Sequence, residues 1–92
     1  MTQADTAQQV DSVERATLGV PGVVQLHGGS FGEVATYLPG RQVRGVRLGA
    51  ERTEVHVVVR ADAPLTETAT AVREAVGPIV SNPVDVFIED VV

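Results

Sequence analysis

The chain has no cysteine and no lysine, and only three of its ninety-two residues are aromatic: Phe31, Tyr37 and Phe87. Without cysteine there are no disulfides and no thiolate metal sites, and the redox compartment is left unread. With so few aromatics the core falls to Val, Ala, Leu and Ile. Stiff β-branched side chains suit a sheet. All seven basic residues are arginine, which we read as GC-rich coding rather than as seven selected guanidinium sites. No apolar run approaches the roughly 20 residues that span a bilayer. Met1-Thr2-Gln3-Ala4-Asp5 lacks the basic and apolar regions of a secretory signal. The expected address is cytoplasmic, with no direct membrane insertion. A net charge of −5 repels phosphate backbones and anionic lipid, and so weighs against nucleic acid.

What is present is a single domain, residues 1–92, of ordinary globular composition. A chain of this size buries roughly 60–65% of its unfolded surface, enough for one modest core. The organising stretch is Thr53 to Arg60. Val55, Val57 and Val59 alternate with Glu54, His56 and Val58, the period of a strand with one fully apolar face. Val58 makes the second face partly apolar, so this strand is expected to be central.

In chain order, residues 1–4 are polar and expected to fray. Thr6 and Gln9 have capping-box spacing, so a helix is expected from Asp5 or Thr6 to Gly19, before Pro21. Val23 to His27 reads as a strand with Val24 and Leu26 inward. Gly28-Gly29-Ser30-Phe31-Gly32 is a loop whose Phe31 is expected to pack on the core. Glu33 to Leu38 fits a strand or a helical turn, with strand preferred. Pro39-Gly40 is a turn, and Val43 to Leu48 a strand. Gly49 to Arg52 connects it as a hairpin to the central strand. A second helix opens at Asp62-Ala63-Pro64 with an apolar stripe of Leu65, Ala69, Val72, Val76 and Ile79. Pro78 is expected to end or kink it. Val84, Val86 and Ile88 mark a last strand.

These elements predict an α+β two-layer sandwich. One mixed or antiparallel sheet of four to five strands carries two helices on one face. The expected core is Val13, Val24, Leu26, Val46, Leu48, Val55, Val57, Val59, Leu65, Ala69, Val72, Val76, Val86 and Ile88.

Candidate sites are few. His27 and His56 lack the convergent ligand spacing of a metal site, so His56 is expected to be a satisfied surface or half-buried residue. Gly28, Gly29 and Gly32 lack the following helix and the lysine of a phosphate loop. Ser30 lacks the nucleophile-elbow pattern. No catalytic, metal or cofactor residues are assigned. Arg41, Arg44, Arg47 and Arg52 concentrate basic charge in an acidic chain. The plainer reading is a solvated strand face, loosely paired with Glu51 and Glu54. The functional reading is a docking patch for an acidic partner.

Several blocks resemble the alkaline shock protein family of Gram-positive bacteria, the envelope stress response proteins. They are Gly19-Val20-Pro21-Gly22-Val23-Val24, Tyr37 through Leu48, Glu54 through Val59, Pro64 through Val76, and Val84 through Val91. The chain departs from the family pattern at Ala61-Asp62-Ala63 and at Gly77-Pro78. The resemblance implies a non-enzymatic cytoplasmic interaction protein of envelope homeostasis. It would self-associate and reach the membrane only through a small membrane-anchored protein partner. The competing expectations are a small-ligand-binding regulatory domain of ferredoxin-like type and, from the arginines alone, a KH-like RNA binder.

Overall fold

A computed structural model describes residues 3–92, with side chains from Thr6 onward. In chain order the elements are α1 (Gln3–Leu18), β1 (Val23–Leu26), β2 (Ala35–Leu38), β3 (Arg41–Arg44), β4 (Val46–Leu48), β5 (Thr53–Val59), α2 (Leu65–Val80) and β6 (Val84–Val91). The fold is α+β. Both helices pack on one face of a four-stranded mixed sheet, and β2 and β3 form a separate hairpin.

β5 is the centre. β6 runs parallel along one edge, across the helical crossover that a parallel pair requires. β1 and β4 are both antiparallel to β5 and share its other edge end to end. They meet at His56. Its N–H donates to the Gly45 carbonyl at 2.8 Å, and its carbonyl accepts from the His27 N–H at 2.8 Å. Gly45 sits at φ +86°, and a Cβ there would lie 2.8 Å from Leu26 Cβ and 2.9 Å from His27 N. Only glycine fits that approach. It splits the expected 43–48 strand into β3 and β4.

The core is a valine cluster. Val10 and Val13 of α1 and Val72 and Val76 of α2 close over Val46, Val55, Val57 and Val59. Three buried threonines have their hydroxyls satisfied: Thr17 and Thr68 donate to the carbonyls of Val13 and Pro64, and Thr53 to Asn82 Oδ1, each at 2.8 Å. Buried hydroxyls left unpaired would be costly. Gln9 Nε2 donates to the Ile79 carbonyl at 3.1 Å and ties the two helices together.

Several expectations are corrected. Val24 is exposed, because a register shift between Val23 and Gln25 turns Val23 and Leu26 toward the core and leaves Val24 over. Leu65 is exposed and Ala69 only half-buried, because the inward stripe of α2 runs through Thr68, Val72 and Val76. Val10, Val20, Val34, Val43, Val58 and Val84 are buried as well. Pro78 lies within α2, which runs on to Val80 and stops at Ser81 in the left-handed region, φ 64°. Pro78 and Glu74 are both exposed, so the carbonyl that the proline leaves unbonded is on the wet side. α1 begins at Gln3 rather than at Asp5 or Thr6, so Gln3 and Ala4 are helical. Met1 and Thr2 lie outside the described residues.

Candidate functional site

The four clustered arginines do not converge. Arg41 reaches α1 and forks onto Asp11, with bonds of 3.1 and 2.9 Å. Arg52 forks onto Asp85 of β6 with two bonds of 2.6 Å. Arg47 lies across the strand pair from Glu54, at 3.4 Å. These pairs are electrostatically coupled. The Arg52 hydrogen bonds hold the Asp85 carboxyl below the usual aspartate range, and Asp11 holds Arg41 above its ordinary value. Three of the four are thus solvated pairs, although Asp85 rather than Glu51 takes Arg52.

Arg44 differs. Among the described residues it has no ion pair and no hydrogen bond. Its stem crosses Gly28, where a Cβ would lie 3.1 Å from Arg44 Cγ and 3.2 Å from Cδ. A side chain at Gly28 would crowd the arginine stem there. Beside it opens a cleft of about 290 Å³, lined by Gln25, Leu26, His27, Gly28, Gly29, Gly32 and Arg44. No carboxylate is in that lining. The Gly29 N–H donates to His27 Nδ1 at 2.9 Å, so in the neutral ring the proton sits on Nε2.

The glycine loop is folded on itself. The Gly32 N–H donates to the Gly29 carbonyl at 3.1 Å, and the Val34 N–H to the Gly28 carbonyl at 2.9 Å. This tucks Val34 inward and lifts Ser30 and Phe31 to the tip. Phe31 is 88% exposed, which overturns its expected place in the core. In the hairpin, Thr36 pairs with Val43 and Tyr37 with Gln42. Val43 points to the core, so the alternation sends Tyr37, Gln42 and Arg44 outward together. Tyr37 is 70% exposed. The outward direction of Tyr37 was readable once the inward residue of this hairpin was known. Nothing in the residue types marked Gln25 or His27 as cleft neighbours.

The sheet face opposite the helices carries a polar chain. Glu54 Oε1 lies 3.0 Å from His56 Nε2, and Glu89 Oε2 lies 2.5 Å from His56 Nδ1. The two carboxylates thus reach the two ring nitrogens of one imidazole from opposite sides. Phe87 stacks on the imidazole, with centroids 4.4 Å apart, and is itself 43% exposed. His56 is therefore buried rather than at the surface or half-buried, but it is satisfied as expected. Glu89 follows Phe87 by two residues on the same face of β6, next to a register shift between β5 and β6.

Among the described residues, Ser30 hydrogen-bonds to neither histidine, and no group of three or more His, Asp or Glu is placed to hold a metal ion. No helix of the described residues is long and apolar enough to cross a membrane. No protein-family model, no curated protein and no solved structure matches the chain.

Proposed function

We propose that this chain is a non-enzymatic interaction module that works through the end of the molecule formed by the glycine loop and the β2–β3 hairpin. One observation carries the reading. The protein closes its core on valine and leaves the aromatic residues of the loop and the hairpin, Phe31 and Tyr37, exposed. Large aromatics are the side chains that interfaces concentrate at their centres. The resemblance to alkaline shock proteins supplies the setting we favour. In it the module is cytoplasmic, self-associates, serves envelope homeostasis, and is held at the membrane only through a small membrane-anchored protein.

The test is sedimentation velocity across a wide concentration range, with co-purification from native cells. The parent should associate or bring a partner with it. Phe31→Ser with Tyr37→Ser should abolish that while changing stability by less than about 0.5 kcal/mol, as expected of surface changes. A parent that stays monomeric throughout and carries nothing with it would remove the proposal. The half-open cleft beside Arg44 favours one second reading, a small-ligand-binding regulatory domain. A thermal-shift screen with nucleotides and amino acids separates the two, since only that reading requires a hit.

A further inference from the structure

We propose that the cleft between the glycine loop and Arg44 is a carboxylate seat, and that its occupant is an acidic side chain on a peptide segment with apolar neighbours. The inference rests on the interaction reading and names the chemistry of the partner.

Three side chains carry it. Arg44 is the one member of the arginine cluster without a carboxylate among the described residues, although the chain as a whole has excess acid. Its guanidinium offers a planar fork of donors, the geometry that matches a carboxylate. His27 has its Nδ1 occupied by the Gly29 N–H, which leaves Nε2–H as a free donor in the neutral ring. The Gln25 side chain lines the same cleft and makes no hydrogen bond. All three can donate, and none of the lining residues carries negative charge.

The rim fixes the class of ligand. Phe31 stands at the tip of the loop that forms one wall, and Tyr37 shares the outward hairpin face with Arg44 on the other. In a strand pair, Tyr37 is the diagonal neighbour of Arg44, within reach of a long or aromatic side chain. One free charge, with an exposed aromatic on each of the two segments that flank it, fits one acidic residue with apolar neighbours. A nucleic acid would need a track of free cations along its phosphates. Arg41, Arg47 and Arg52 already face Asp11, Glu54 and Asp85, whose charges oppose a phosphate there.

The probe is the peptide acetyl-Phe-Glu-Phe-amide, titrated into the full chain and followed by backbone amide NMR. The signals of Gly28, Gly29, Gly32 and Arg44 should move together. The glutamine analogue should bind about tenfold more weakly, and so should the glutamate peptide to Arg44→Gln, as expected for loss of a charge-assisted fork. Arg47→Gln should bind like the parent. Absence of localised shifts would overturn the proposal, as would equal binding of the two peptides or of Arg44→Gln. Inorganic phosphate moving the same amides as tightly as the peptide would also overturn it, by assigning the seat to small oxyanions. If Arg44→Gln does not fold, the two peptides on the parent chain still decide. A chain that captures a protein partner yet ignores the peptide loses the seat and keeps the interaction reading.

Discussion

The helix-facing side of β5 and the exposed side of the glycine loop and β2–β3 hairpin both carry large hydrophobic side chains, and the fold treats them oppositely. Val55, Val57 and Val59 are fully buried, whereas Tyr37 and nearby Phe31 face water. Hydrophobicity does not sort them, because burial here follows backbone geometry. β5 is walled by strands on both edges, so its alternation is locked and one face must meet the helices. The hairpin and glycine loop are set by turns, and turns aim side chains without regard to their polarity.

The sharpest way to break this contrast is Val57→Asp. It places a charge in a fully buried site and should cost about 4 kcal/mol or more. Chemical denaturation that left the midpoint unchanged would mean that the ladder is not the inner wall. Gly45→Ala against Gly40→Ala comes next. Both glycines have positive φ, but a Cβ at Gly45 meets Leu26 Cβ and the His27 backbone, while at Gly40 it would touch nothing within 4 Å. The expected costs are about 3 kcal/mol at Gly45 and about 1 kcal/mol at Gly40. Equal losses would show that the β1–β4 junction is slack.

The smallest effect concerns Asp85. Arg52 depresses its carboxyl in the folded state, so the pair adds stability above the ordinary aspartate range. That contribution fades as pH falls through the depressed folded value. Asp85→Asn should therefore flatten the stability curve below about pH 4 and leave a small constant deficit above it. The effect is small because the pair is exposed. Denaturant midpoints between pH 2 and 6 would show it, and a curve parallel to the parent's would mean that the pair contributes nothing.

The architecture was legible because it is written in periods. The valine alternation of 53–59 and the Gly19 and Pro39-Gly40 stops mark β5, the end of α1 and the β2–β3 turn. What escaped lay at single-residue irregularities. An extra residue in β1 exposed Val24, and another in β6 put Asp90 rather than Glu89 opposite Val58. A shift of one position inverts which side of a strand a residue occupies, and no local pattern announces it. The arginine cluster was visible as composition. Which member would be left free depended on Asp11 and Asp85, distant in sequence and joined only by the fold.

The crossover through α2 has a consequence for the nascent chain. β5 is complete well before β6 exists, and until then one whole side of it presents open peptide groups between valines. That is the composition of a fibril-forming segment. A chain that stalls or is clipped before Val84 would carry this sticky rim uncovered. Docking of β6 replaces it with an edge bearing Asp85, Glu89 and Asp90, whose negative charges discourage stacking by further copies.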